Sequence, residues 1–418
     1  MDRLIIKGNA NLKGSINIKG SKNSALPIMV SALLSNKTLR LKNLTKLDDI
    51  KNMSKLLKNF GAIIKTNKDN LDINCKKIIN READYDIVRK MRASILVLGP
   101  LLARFGKAKI SLPGGCAIGT RPIDIHLEGL KKLGATFKVD GGYVIGEVSN
   151  NLIGSHISLP FPSVGATENI IMASTIAKGK TIIENAAMEP EILDLANSLN
   201  KRGAKIKIGK NGVVKIIGVK TLASANHKIM SDRIVAGTFV IAAVMLNKKF
   251  EVNDIESKHI EALTTSLINM GANLKIRKNS IQIKPSGNLN GIKIQTEPYP
   301  GFPTDLQAQM MSLMSLVKGN SQIKENIFEN RFMHVPELNR LGAKIRVKGD
   351  VAYISGNRNF KGAQVMASDL RASVSLVLAA LCADGVSVIN RVYHLDRGYE
   401  KIENTLGNLG PSIKREKY

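Results

Sequence analysis

The chain of 418 residues has no tryptophan, and aromatic residues make up only 4% of it. Proteins that grip single nucleic-acid strands stack bases on aromatic rings. That scarcity argues against a nucleic-acid partner, although 62 Lys and Arg against 34 Asp and Glu leave a net charge of +28. The lysines are scattered among isoleucines and asparagines with no polybasic tail, so biased composition accounts for the excess. The resulting field still favours small anionic substrates. There are three cysteines, Cys75, Cys116 and Cys382. They lie far apart with no Cys-x-x-Cys pair, which argues against a disulfide framework or a zinc site and fits a reducing compartment. No run of eighteen apolar residues occurs. The opening MDRLIIKGNANLKG reads as strand and turn, not as a leader. The expectation is a soluble, cytoplasmic protein with no membrane partner. No His/Asp/Glu spacing resembles a metal motif, so no metal is expected.

What is present is a repeat. One phrase recurs at Gly61, Gly134, Gly203, Gly271, Gly342 and, with Pro in place of Ala, Gly410; the intervals are 73, 69, 68, 71 and 68 residues. An amphipathic helix precedes each glycine, as in PEILDLANSLNKRGA, where Ile192, Leu195, Ala196 and Leu199 share a face. The glycine stands where a helix C-cap belongs. A short alternating strand follows, such as AKIKI or AKIRV. Upstream lie a small turn and a strand, and before them a second helix that is apolar nearly all round, such as TENIIMASTIA or ASVSLVLAALCA. Such a helix belongs in a core. The unit is therefore helix–strand–helix–strand–strand, six times over. Units of this size suit two globular domains of three units each, rather than a solenoid. The break is expected near 225–232, around the polar stretch ASANHKIMSD, with an N-terminal stretch returning to complete the second domain. In numbers, the expected domains are 21–229, carrying the loop 111–122, and 1–20 plus 230–418.

Regularity makes the exceptions informative. From the small turn to the repeated glycine the second unit takes 28 residues, against 23–25 in the others. Its excess lies in PGGCAIGT, a glycine loop bearing Cys116, with Arg121 and Pro122 at the next helix start. Just ahead of the apolar helices stand Lys22-Asn23, Arg92, Ser163-Val164-Gly165, Asp232-Arg233, Thr304-Asp305 and Asp369-Leu370-Arg371. Arg121, Arg331 and Arg397 open the other helices of units two, five and six. Helix starts suit anions. Any one of these groups alone reads better as an N-cap or a solvated arginine. Together they read as an anion site between domains.

Seven segments spanning the chain carry a family resemblance: GSKNSALP (20–27), LPGGCAIGTRPIDIHLEGL (112–130), PSVGATENI (162–170), YPGFPTDLQAQ (299–309), ENRFMHVPELNRLGAKI (329–345), DLRASVSLVLA (369–379) and LDRGYEKIE (395–403). The chain resembles the UDP-N-acetylglucosamine 1-carboxyvinyltransferases, a family of enolpyruvyl transferases. The resemblance implies an α/β fold of two inside-out α/β barrel domains, each of three βαβαββ repeats with pseudo-threefold symmetry, and an active site in the cleft between them. It implies transfer of the enolpyruvyl group of phosphoenolpyruvate to the 3′-hydroxyl of UDP-N-acetylglucosamine with release of phosphate, without a cofactor or a metal. That reaction opens peptidoglycan precursor synthesis.

By the same resemblance, Lys22, Arg92, Arg121 and Arg397 surround phosphoenolpyruvate, with Arg331 and Arg371 lining the cleft. Arginine forks suit carboxylate and phosphate. Cys116 is the general acid facing C3 and can also add to C2. Asp305 is the base for the sugar hydroxyl. Lys22 and Arg397 complete the catalytic set. Asn23, Arg92, Arg121, Pro122, Ile123, Asp124, Ile125, Ser163, Val164, Gly165, Asp305 and Ile327 hold the nucleotide-sugar, and Asp369 supports Arg371. Fosfomycin, an epoxide mimic of phosphoenolpyruvate, is expected to alkylate Cys116. Two other readings remain: an enzyme like 5-enolpyruvylshikimate-3-phosphate synthase, whose pattern lacks the PGGC loop, and a silent paralogue that only binds UDP-sugar. Cys75 and Cys382, beside apolar runs, read as inert, and the methionines of 310–314 as core. His126 fits lining the site or packing equally well. Pro411 leaves the pairing of the last strand open.

Overall fold

The computed structural model describes residues 2–83, 85–89, 91–112, 123–356 and 359–417. Cys116, Arg121 and Pro122 lie outside the described residues. The described chain divides into two compact units, one of residues 19–112 with 123–230 and one of residues 2–18 with 231–417. Each has its own hydrophobic core.

The repeated glycines do the work their spacing suggests. All six lie in the left-handed region: φ is 108° at Gly61, 101° at Gly134, 97° at Gly203, 102° at Gly271, 103° at Gly342 and 114° at Gly410. In the third repeat the Gly203 N–H donates to the Asn200 carbonyl (3.0 Å) and the Ala204 N–H to the Leu199 carbonyl (3.1 Å). This pair of bonds closes the last helical turn and requires a residue tolerant of positive φ. In the sixth repeat Pro411 has no N–H, and only the bond from Gly410 to Gly407 remains.

Among the described residues the strands form six four-stranded sheets. Each unit holds three. In five, the order is a short edge strand, the strand after the apolar helix, and then the hairpin that follows the repeated glycine. Strands such as Leu39–Lys42 alternate buried and exposed residues, so each sheet turns one face to the core. The apolar helices are buried within. Leu370–Cys382 buries every residue from Leu370 to Leu381. Met310, Met311 and Met314 are fully buried on Gln307–Leu316. Covering a leucine in this way is worth about 1.5–3 kcal/mol, which is what holds an all-apolar helix inside. In Pro190–Lys201 the face of Ile192, Leu195, Ala196 and Leu199 is the buried one.

Two rearrangements complete the pattern. The edge strand ahead of the first apolar helix, Ser15–Asn17, pairs in parallel with Phe250–Asn253 in the fourth sheet. Its counterpart Ala225–Lys228 pairs in parallel with Leu39–Lys42 in the first. The polar stretch around 225 is therefore largely strand, not linker. In the sixth sheet Asp2–Lys7 lies antiparallel to both Val386–Asn390 and Ile413–Lys417. It fills the place that a second hairpin strand takes elsewhere, and it settles the pairing of the last strand. No helix among the described residues is long and apolar enough to cross a membrane.

Candidate active site

In the unit containing 231–417, Pro303 precedes a helical turn, Thr304–Leu306, that leads into Gln307–Leu316. Asp305 projects from this turn, with 27% of its side chain exposed. Its Oδ1 accepts from Arg331 Nη2 at 2.8 Å and its Oδ2 from Arg371 Nη2 at 2.7 Å. Both arginines are buried, at 4% and 5% exposure, which excludes the solvated-surface reading for them. Burial alone would lower the pKa of Arg371, but Asp305, through its charge and its hydrogen bond, together with Tyr399 and Asp232 outweighs it, and the guanidinium is held above its ordinary value. Gln309 Nε2 donates to the Asp305 carbonyl (3.0 Å) and to Thr238 Oγ1 (3.1 Å). Thr238 shares a 2.8 Å hydrogen bond with the Tyr399 hydroxyl, which the Arg371 guanidinium also reaches. A closed polar ring thus ties Asp305 to all three buried helices of the unit.

Asp369 acts on Arg371 through the backbone. Its Oδ1 accepts from the Arg371 N–H at 2.8 Å and the Ala372 N–H at 3.1 Å, as an N-cap does. Arg397 is partly buried and, contrary to the expectation that it opens a helix, ends the helical turn Val392–Arg397, the next helix beginning only at Ile402. Ile327 is placed by a residue that the sequence did not single out. Buried Glu325 accepts through Oε1 from Thr296 Oγ1 (2.8 Å), the Ile327 N–H (3.0 Å) and the Phe328 N–H (3.2 Å). Through Oε2 it accepts from Thr304 Oγ1 at 3.0 Å, beside Asp305. A glutamate inside an otherwise alternating strand end is its only trace in the sequence.

In the other unit, Lys22 opens Lys22–Val30 under the Ser21 cap. Its Nζ stands 3.0 Å from Oδ2 of Asp49, a carboxylate with 2% of its side chain exposed. Asn23, next in the helix, is half-buried. Next to Asn23, the Ser24 hydroxyl donates to Asp194, whose carboxylate also meets His227 Nε2 (2.9 Å) and the Met230 N–H (3.1 Å). Asp49 and Asp194 both went unsingled in the sequence, since each reads as an ordinary helix carboxylate.

Arg92 opens the turn Arg92–Val97. Its charge, after burial, helps to push the His126 pKa down to about 4. His126 is packed inside: Asn169 Nδ2 lies 3.2 Å from its Nδ1 and also donates to the Ile95 carbonyl, while Asn169 Oδ1 accepts from the Gly99 N–H at 2.7 Å. An amide that donates to Nδ1 leaves the ring proton on Nε2. Gly165 faces that ring, and a Cβ there would lie 3.1 Å from His126 Cε1. Ser163 caps Val164–Thr175, its side chain accepting from the Ala166 N–H at 3.4 Å. Ile123 is buried at the start of Asp124–Lys132, where Asp124 is exposed and Ile125 half-buried. Arg92, His126 and Gly165 thus share one neighbourhood, as Asp305, Arg331, Arg371 and Asp369 do in the other unit. Burial pushes the Cys75 and Cys382 thiols up to about 12, so both are unreactive at neutral pH. Among the described residues no cluster of His, Cys, Asp and Glu could hold a metal ion.

The architecture recurs in solved structures. The enolpyruvyl transferase NikO from Streptomyces tendae matches with a TM-score of 0.92 at 21% identity, covering 100% of this chain and 99% of its own. An EPSP synthase from Acinetobacter baumannii gives 0.79 at 18% identity, covering 100% of both. The fold is that of the enolpyruvyl transferases. The family model described as EPSP synthase (3-phosphoshikimate 1-carboxyvinyltransferase) matches residues 6–406. A UDP-N-acetylglucosamine 1-carboxyvinyltransferase of Pelagibacter ubique is 53% identical over 415 residues, covering 99% of this chain and 100% of the relative. One from Paramagnetospirillum magneticum is 50% identical over 427 residues, covering 100% and 99%. The chain belongs to the EPSP synthase family and, within it, to the UDP-N-acetylglucosamine 1-carboxyvinyltransferases.

Proposed function

We propose that the protein transfers the enolpyruvyl group of phosphoenolpyruvate to the 3′-hydroxyl of UDP-N-acetylglucosamine, releasing phosphate, as a cytoplasmic step of peptidoglycan precursor synthesis. The observation that carries this reading furthest is full-length identity of about half with relatives of that name. Asp305 between two buried arginines supports it chemically. An anionic substrate gains from guanidiniums already desolvated and aligned. As Arg331 and Arg371 turn to the incoming anion, the Asp305 carboxylate is released to accept the sugar hydroxyl proton. Lys22, oriented by Asp49, and Arg92, Arg121 and Arg397 supply the remaining positive charge. Cys116 delivers the proton to C3. Asn23, Ile123 to Ile125, Ser163 to Gly165 and Ile327 receive the nucleotide-sugar. The domains act as 21–229 and 1–20 plus 230–418. Fosfomycin opens its epoxide on the Cys116 sulfur.

Phosphate release from phosphoenolpyruvate plus UDP-N-acetylglucosamine is the test. Turnover is expected with this acceptor, none with shikimate 3-phosphate, and a strong loss in Cys116→Ser together with loss of fosfomycin labelling. Labelling of Cys75 or Cys382 in the folded enzyme, or full activity of Cys116→Ser, would remove the role given to Cys116.

A further inference from the structure

The last strand, Ile413–Lys417, carries Arg415, whose guanidinium gathers three carboxylates. Nη1 and Nη2 meet the two oxygens of Asp396 at 3.0 and 2.6 Å. Nε and Nη2 meet those of Glu403 at 3.0 and 3.1 Å. Nη1 also reaches Asp2 at 3.4 Å. Two fork-to-carboxylate pairs on a single guanidinium fix position and orientation at once.

Asp396 and Glu403 bracket the segment at the junction between the helical turn Val392–Arg397 and the helix Ile402–Gly407. Lys401, within that junction, and Arg391, just before the turn, have positive φ, 41° and 58°, without being glycine. Such residues persist only where the surroundings impose them. Arg397 lies within this segment, one residue after the carboxylate that Arg415 grips twice. Tyr399 pins the same segment from inside through its hydroxyl on Thr238. At Gly398 the backbone runs so close to Leu370 that a Cβ would stand 2.7 Å from its side chain. The segment is therefore held from the core by Tyr399 and from the outer sheet by Arg415.

We propose that Arg415 is a positioning residue for Arg397: by clasping Asp396 and Glu403 it sets where the Arg397 guanidinium meets phosphoenolpyruvate. This rests on the reading of Arg397 as a phosphoenolpyruvate ligand. The clasp also keeps the Asp396 carboxylate turned to Arg415 and away from an anionic substrate.

The experiment compares Arg415→Met, Arg415→Lys and Arg397→Lys in the full chain, with KM for each substrate, kcat and melting temperature. Arg415→Met should raise KM for phosphoenolpyruvate roughly tenfold, about 1.4 kcal/mol, with KM for UDP-N-acetylglucosamine unchanged and kcat within about twofold. Arg415→Lys keeps the charge but cannot fork to both carboxylates, so it should give a smaller rise in the same constant, roughly threefold. It also serves if the methionine variant does not fold. A lower melting temperature with both KM values unchanged would make the clasp purely structural and overturn the proposal. An unchanged phosphoenolpyruvate KM in Arg397→Lys would overturn it at its premise. A rise in Arg397→Lys without one in either Arg415 variant would overturn the clasp alone.

Discussion

Arg371 gives Asp305 a 2.7 Å hydrogen bond through Nη2, while its own backbone N–H is held by the Asp369 cap at 2.8 Å. One residue is thus fixed at both ends, and the carboxylate it meets is aimed by the fold before any substrate arrives. The arrangement separates two jobs of Asp305 that substitution can pull apart.

Asp305→Ala removes the carboxylate that two buried guanidiniums share. It should destabilise the protein by about 3 kcal/mol and abolish turnover. Asp305→Asn keeps the shape and one acceptor oxygen but loses the charge and turns an NH2 donor toward one arginine, so it should recover only part of that stability while turnover is still lost. Urea unfolding curves beside initial rates check both. Appreciable activity in the Asn variant would rule out Asp305 as the proton acceptor.

Two buried histidines, one in each unit, give a pH dependence with a definite sign. Burial, with a contribution from Arg92, holds His126 at about 4 against its ordinary 6.5. His334 is held at about 4 by burial and Arg331, with Asp369 opposing. Between 6.5 and 4 the unfolded chain binds protons that the folded chain refuses. Stability is therefore complete above 6.5 and falls as pH drops through this window, by on the order of 3 kcal/mol per histidine. Denaturation at pH 7.5 and pH 5 should show a little over half of this loss, and His126→Gln should show less of it. Equal losses in both proteins would mean that His126 is not the group responsible.

The repeated glycines should differ in cost although their φ angles are alike. A Cβ at Gly203 would meet nothing within 4 Å, so Gly203→Ala bears only backbone strain, about 1–2 kcal/mol. At Gly410 the Cβ would fall 2.2 Å from the Asn11 carbonyl oxygen. Gly410→Ala should cost clearly more, because backbone must move. Melting temperatures of the two variants test the order, and a reversed order would contradict the packing described.

The repeat was legible because each unit repeats a stereochemical requirement, a residue that tolerates positive φ after a helix, and only Gly meets it cheaply. The apolar helices were legible for a similar reason, since a helix with no polar face has one place to go. The edge strands were not. Pieces such as Glu82–Ala83 and Ser15–Asn17 are two or three residues long, too short for any period to emerge. The exchange of Ser15–Asn17 and Ala225–Lys228 between sheets was equally hidden, because parallel partners as distant in sequence as Ser15 and Glu251, or Leu39 and Ala225, leave no local mark. At the site, Asp305 and Arg371 stood out as charged residues just ahead of apolar helices, and Arg331 as one ahead of the other helix of its unit, although that helix begins only at Val335. Asp49, Asp194, Asn169 and Glu325 did not, because each works through a distant partner and looks locally like an ordinary surface residue.

The seating of Asp2–Lys7 in the sixth sheet bears on biosynthesis. Residues 19–230 contain every strand of three sheets, so that half can close as soon as it leaves the ribosome. The strand Asp2–Lys7 is translated ahead of every other strand described, yet its partners begin only at Val386. It must wait until the residues up to Val386 and beyond are made, and the half that carries Asp305 and Arg397 closes after the other.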